Sequence, residues 1–357
     1  MNKKILVQFF LVTFIVLPVI GQNAKTGADT AVHHKAHRSF NLFTEDKLLE
    51  ISLKFDLGTY FRTKPKPNYL KAEITFHLGE KDSINKEIAL RTRGIDRNQR
   101  CSFAPIELKF KKTDFGYSDL NKISKLKLVP ECSSTYEYED YVLREFLIYK
   151  LFNVLTDTSF RVRLLTVNYI DSEKKRKPMK QYGFFIEPVE ILTARTNTVP
   201  INVKSVRPNN ILPKVMDRLA IFNYMIGNFD WSVQGQHNVR IVKSPIIDTV
   251  QLGIAIPYDF DWSGVVNASY AIPAESVGIS SVRERKFLGA CRTREEYQKD
   301  LDMFLEKKDE FYRVINEFPY LNQKAKKDII TFLDDFFDQS VGRKPVINTF
   351  LKNCKKF

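Results

Sequence analysis

Four segments between residues 48 and 112 constrain the fold more than any other feature of the chain. "LEISLKFDL" (49–57), "YLKAEITFHL" (69–78), "KEIALRTRGI" (86–95) and "PIELKFKK" (105–112) alternate apolar and polar residues at period two, with Pro, Asn, Asp and Gly in the gaps. That alternation places one face of a sheet against a core and the other in water, which predicts an antiparallel sheet with one wet face. "SKLKLVPE" (124–131) reads as a further strand. The period then changes. In "EDYVLREFLIYKLFNVL" (139–155), Val142, Phe146, Tyr149 and Leu151 or Phe152 recur at helical spacing, and Glu139 and Asp140 stand at the end where the helix dipole favours carboxylates. Two strands follow, "RVRLLTVNYID" (161–171) and "QYGFFIEPVEIL" (181–192), so the first half reads as an α+β lobe, a sheet with a helix inserted.

The second half is mainly helical. Pro213 suits the first turn of a helix over about 213–226, and Gly227 suits its end. A loop, "NFDWSVQGQ", leads into a short strand, "HNVRIV", and a turn returns the chain through "TVQLGIAIP" to "YDFDWSG" (258–264). Helices near 294–316, 322–338 and 344–353 close the chain, and no internal repeat is visible.

The first 21 residues carry Lys3 and Lys4, an apolar stretch from Ile5 to Ile20 and the small residue Gly21, the layout of a cleaved signal peptide. The stretch is short for a membrane span and contains Pro18. Residues 22–45 read as a flexible leader, in which His33, His34 and His37 are more simply solvated residues than metal ligands. An exported chain meets an oxidising compartment, periplasmic or at the cell surface, so the four cysteines become candidates for disulfides. None forms a CxxC pair, and sequence proximity favours Cys101 with Cys132 and Cys291 with Cys354, although four cysteines allow three pairings. The formal net charge of +14 raises the question of nucleic acid. The densest basic run, "SEKKRKPMKQ" (172–181), has the look of a hairpin tip and lacks interleaved aromatics, which argues against nucleic acid and leaves anionic ligands open.

The chemistry gathers in the second half. The order helix, loop with Asp230, strand opening with Asn238, hairpin return, Asp259 and Asp261 brings Asp230, Asn238 and Asp259 to one edge of a small hairpin. An aspartate able to accept a hydroxyl proton, an asparagine carbonyl and a carboxylate pair make an oxygen-rich site for Mg²⁺, which keeps waters and bridges phosphates. "SVRERKFLGACRTREEYQ" (281–298) adds Arg283, Arg285 and Arg292, suited either to phosphate or to ion pairs with nearby glutamates. His237 reads as a hydrogen-bonded structural histidine.

"GNFDWSVQGQHNVRIV" and "IPYDFDWSG", with "IALRTRGIDRNQRCSFAPIELKF" and "YGFFIEPVE" upstream, resemble the spore-coat CotH family of secreted, atypical kinase-like proteins, and more distantly HipA-type kinases. The likeness covers about residues 85–265. It implies a two-lobed protein-kinase-like fold, with an N-lobe over 46–192 and a C-lobe over 193–357. It implies ATP or another nucleotide with Mg²⁺ or Mn²⁺, and an acceptor hydroxyl on a protein or a surface glycan. By position, Asp230 would be the catalytic-loop aspartate, Asn238 and Asp259 metal ligands, and Asp261 a second ligand or orienter. Glu187 would approach the nucleobase or ribose, Lys127 or Lys109 would supply the phosphate lysine, Glu145 its ion-pair partner, and Arg93 would lie near the phosphates. The chain departs from the pattern in two ways: Asp230 and Asn238 are eight positions apart rather than five, and there is no GxGxxG loop. These departures favour the alternative, a catalytically inactive cell-envelope scaffold that uses its acidic residues for Ca²⁺ or a cationic partner.

Overall fold

Seven strands close into a barrel in the order β1-β2-β3-β4-β5-β7-β6. The computed structural model describes residues 40–64, 68–79, 82–111, 115–118, 120–246, 252–342 and 345–357. The barrel strands are β1 (Leu49–Phe55), β2 (Leu70–His77), β3 (Ser83–Thr92), β4 (Ile106–Phe110), β5 (Lys125–Pro130), β6 (Val162–Asp171) and β7 (Met179–Ile186). Neighbours pair antiparallel except at the seam, where β6 returns parallel to β1 in a register running from Leu49↔Leu165 to Phe55↔Asp171. The period-two residues do what their alternation requires. Ile51, Leu53, Ile74, Leu90, Leu108, Leu126, Val167 and Phe185 fill the interior with a second set of aromatics, Phe76, Phe103 and Tyr169.

This architecture overturns the expectation of a two-lobed kinase-like fold whose N-lobe is an open antiparallel sheet. Alternation reports only that each strand has an inside and an outside, which holds equally for an open sheet and a barrel. The parallel pairing that closes the barrel joins residues more than a hundred positions apart and leaves no local signature.

Nine helices are described: α1 (Leu57–Thr63), α2 (Asp96–Arg100), α3 (Tyr136–Leu155), α4 (Val189–Thr196), α5 (Pro213–Met225), α6 (Arg294–Glu306), α7 (Lys308–Glu317), α8 (Gln323–Val341) and α9 (Val346–Asn353). A small sheet, in the order β10 (Ile254–Pro257), β9 (Val239–Lys243), β8 (Val199–Pro200), holds the candidate site. The α3 helix lies on the outer face of β6 and β7, and Val129, Val162, Leu164, Phe184 and Ile186 join it in a second core shared with α5 to α9. Because α3 is covered on several sides, it buries Arg144 and Glu145 along with its apolar residues. The strand expected over 181–192 stops at Ile186. Pro188 cannot donate to a ladder and instead precedes the first turn of α4.

Cys101 bonds Cys132 and Cys291 bonds Cys354, as sequence proximity favoured. Two disulfides fit a chain that matures in an oxidising compartment. Among the described residues no helix is long and apolar enough to cross a membrane. The basic run 172–178 is an exposed connection between β6 and β7. The signal segment, the leader up to residue 39 and its three histidines lie outside the described residues, whereas Leu42 and Phe43, expected in the leader, are buried in the barrel core.

Candidate functional site

The β9–β10 hairpin sets the first half of the site. Val239 pairs with Pro257, and the Tyr258 N–H donates to the Asn238 carbonyl at 3.0 Å, so Asn238 and Asp259 stand at the same end of the hairpin. Both adopt left-handed backbone conformations, with φ of 52° at Asn238 and 66° at Asp259. Such φ values are uncommon outside glycine, and Asn and Asp tolerate them best. The Asp259 N–H is held by the Tyr149 hydroxyl at 2.9 Å, which fixes the turn against α3.

Asp230 arrives from the loop after α5. The Asn238 side-chain amide donates to both the Asp230 carbonyl (2.8 Å) and its Oδ2 (2.9 Å), and His237 Nε2 meets Oδ1 at 2.7 Å. The loop is braced from below, since the Asp230 N–H donates to Asn228 Oδ1 and Asn228 in turn donates to the fully buried Asn223. With Nδ2 committed to Asp230, Asn238 keeps Oδ1 as its acceptor. Asp230 and Asn238 thus meet, as expected from their order, with His237 beside them and Asp259 at the same hairpin end, and the eight-residue spacing is absorbed by the turn that pairs Ser232 with His237.

The barrel supplies the second half. Lys127 is on the outward-facing side of β5, half-buried, with its ammonium 5.5 Å from the centre of the Tyr258 ring. Burial, helped by Arg93 and Arg240, lowers its pKa to about 8, and Asp259 and Glu107 pull the other way. Arg93 and Arg240 thus both lie within electrostatic reach of Lys127, and among the described residues none of the three side chains has a carboxylate within ion-pair distance. The Asp259 carboxylate likewise has no hydrogen-bond partner among the described residues, yet it acts electrostatically on Lys127, Arg97, Glu145, Asp261 and Tyr258. Lys109 is elsewhere. It is exposed on β4 and lies over the Tyr69 ring.

Behind Asp259 is a buried layer of charge. Arg97 on α2 donates to Glu145 Oε2 at 3.1 Å and to the Pro130 carbonyl at 2.9 Å. Burial alone would lower Arg97, but Tyr270, Glu145, Asp261 and Asp259 together raise it. Glu145 is 1% exposed, its Oε1 has no partner among the described residues, and burial with help from Asp259 pushes its pKa up to about 7 against the pull of Arg97. Asp261 accepts from the Tyr270 hydroxyl at 3.1 Å, and burial next to Asp259 raises it well above the carboxylate range. So the ion-pair partner of Glu145 is Arg97 and not a strand lysine, and Asp261 is turned into the buried layer rather than beside Asn238. Glu187 is also separate, with its carboxylate bound to Arg195 (2.9 and 3.1 Å) and to the Arg161 N–H.

No protein-family model matches this chain, and neither does any curated protein. The site's own geometry therefore carries the functional reading. Among the described residues no three His, Cys, Asp or Glu side chains cluster as a metal cage. The donor set left open, the Asp259 carboxylate and Asn238 Oδ1, suits a hard cation that keeps waters and takes its remaining oxygens from a phosphate. Of the two roles the sequence left open for Arg283, Arg285 and Arg292, the structure shows ion pairs, with Asp328, Asp335 and Asp217 rather than the nearby glutamates, and Arg283 and Arg285 also stack on Phe332.

Sequence reading missed Arg240, Arg97, Tyr149 and Tyr270. Two of them left a signal. Arg240 stands two residues after Asn238 at the start of the same hairpin strand, and Tyr149 is one helical turn after Glu145.

Proposed function

We propose that this site binds a phosphate-bearing ligand, with a nucleoside triphosphate as donor, and transfers a phosphoryl group to a hydroxyl of a protein or surface glycan outside the cytoplasm. The observation that carries the reading is the half-buried cluster of Lys127, Arg93 and Arg240, in which burial and the two arginines outweigh the pull of Asp259 and Glu107 on Lys127. Half-buried cations whose repulsion is not offset by the carboxylates nearby favour an oxyanion, which relieves that repulsion through charge-assisted hydrogen bonds. Arginine forks match phosphate oxygens in pairs, and the Lys127 ammonium adds a point charge.

A divalent cation on Asp259 and Asn238 Oδ1 would neutralise charge on the phosphates. The chain's own residues do the rest. Lys127, Arg93 and Arg240 hold the phosphate oxygens, and Asp230 accepts the acceptor's proton as the new P–O bond forms and the bond to the departing diphosphate breaks. His237 holds the Asp230 carboxylate in place. One observation favours the inactive scaffold instead: both Asp230 oxygens already have partners in His237 and Asn238.

The two readings separate in one experiment. The oxidised full chain, incubated with ATP, Mg²⁺ and a mixture of secreted proteins and glycans, should release ADP and label an acceptor. Asp230→Asn should keep nucleotide binding but lose transfer by about 10²-fold or more, the scale expected for a positioned base. Transfer unchanged in Asp230→Asn would refute the assignment of Asp230, and binding without any transfer would leave the scaffold.

A further inference from the structure

A second polar site is built where β5 ends, β7 begins and α3 starts, away from the phosphate trio. A cavity of about 270 Å³ is lined there by Glu131, Ser134, Thr135, Glu139, Lys180 and Gln181, among others. Glu131 follows the last residue of β5 and is 4% exposed, with one carboxylate oxygen accepting the Tyr182 N–H. Gln181 alternates into the barrel side of β7 and is 5% exposed. Its Nε2 donates to Ser134 Oγ at 3.1 Å, while its Oε1 has no partner among the described residues. A second buried polar atom, the hydroxyl of fully buried Tyr169, also lacks a partner and lies within electrostatic reach of Glu131.

An unpartnered carbonyl oxygen in the barrel wall costs free energy unless something meets it, and so does a carboxylate buried beside another. The charges around the cavity show what would meet them. Burial, with Glu139 adding, pushes Glu131 up to about 7, and burial with Asp140 raises Glu139. Lys180 is exposed and directed to Glu50 at 3.5 Å, and it does not figure among the influences on either glutamate. The positive end of α3 opposes a cation, but it is worth about half a charge against two carboxylates.

We infer that this cavity is a binding site for a hard divalent cation, Ca²⁺, held by Glu131, Glu139, Gln181 Oε1 and the hydroxyls of Ser134 or Thr135. All these groups are oxygen donors, their number suits the six to eight ligands Ca²⁺ takes once waters are added, and the volume leaves room for those waters. The ion would tie the start of α3 to the barrel. That helix carries Glu145 and Tyr149, so the second site braces the first.

The test is Ca²⁺ titration of the oxidised full chain without nucleotide, read as melting temperature and as Tyr-sensitised Tb³⁺ luminescence, with Tyr136 in the cavity wall as sensitiser. The expected result is stabilisation saturating with a Kd on the order of 10⁻⁴–10⁻³ M, the range of extracellular calcium modules. The affinity should fall at least about tenfold in Glu131→Gln and in Glu139→Gln. The partly exposed Glu139 gives a folded variant should Glu131→Gln fail to fold. The titration contains neither nucleotide nor phosphate, so its outcome is independent of the phosphotransfer reading, and the loss in Glu139→Gln assigns the response to this cavity. No response in the wild type, or an undiminished response in Glu139→Gln, would each overturn the inference.

Discussion

Lys127 is where burial and charge meet most directly in function. With a pKa lowered to about 8, it is mostly protonated at neutral pH and loses its charge at a pH where an exposed lysine keeps it. A bound phosphate favours the charged form, so binding takes up a proton near pH 8 and affinity should fall as pH rises from about 7 to 9. Calorimetry across that range checks this, and Lys127→Met should weaken binding about tenfold and flatten the pH dependence. The buried pair behind it makes a second prediction. Glu145 has a folded pKa of about 7 against 4.5 unfolded, so the fold favours its neutral form. Below pH 4.5 it costs nothing, and stability is lost as pH rises from about 4.5 to 7, then stays level. Glu145→Gln should remove this share of the slope, while Arg97→Met should destabilise more at pH 8 than at pH 5, by up to about 3–5 kcal/mol where the charge is left unpaired. Urea unfolding at the two pH values reads both. At this scale the sequence was informative about Asp230, Asn238 and Asp259, because a hairpin returns them to one place. It could not choose between Lys127 and Lys109. Strand parity puts both outside the barrel, and only the three-dimensional cover tells that the outer face of β5 meets the rest of the site while that of β4 meets water.

Elements explain why those residues stay in register. The five-residue α2 has no side-chain cap, yet it delivers Arg97 into the buried layer. What holds it is the Cys101–Cys132 bond, reinforced by the Phe103 N–H donating to the Cys132 carbonyl at 3.1 Å. Replacing both cysteines by serine should cost about 3–4 kcal/mol in the chain-entropy picture and also weaken phosphate binding, because α2 and the end of β5 lose their tie. The pair Cys291 and Cys354 anchors the end of α9 instead, and its removal should lower the melting temperature while leaving phosphate affinity within about twofold. Equal losses of affinity in the two double variants would contradict this account of α2. The longer helices were legible from period and caps: α5 begins at Pro213 as its sequence requires, and α8 and α9 fall near their expected places, but the helix expected over 294–316 breaks at Lys307 into α6 and α7, and the short α1 and α2 left no period to read. The α4 helix was not legible either, since eight residues after a proline are too few to declare a period against a preceding apolar strand.

For the whole molecule, the sequence conveyed the strands but not their closure. Each alternating segment reports its two faces, whereas the β1–β6 seam depends on a parallel pairing between distant segments that pattern cannot register. The resemblance, carried by segments of both halves, implied a kinase-like N-lobe, and the barrel corrects that while Asp230, His237 and Asn238 still meet. The central claim is therefore that a barrel strand and a small hairpin together make a phosphate site. The most direct measurement is the melting temperature of the oxidised full chain with and without ATP and Mg²⁺, for wild type, Arg240→Met and Asp259→Ala. At a hundred times Kd, ligand binding to the native state should add about 2.7 kcal/mol of stability in the wild type, with both variants losing most of the shift at the same concentration. A wild type that melts at the same temperature with or without nucleotide, or variants that shift as far as the wild type, would contradict it.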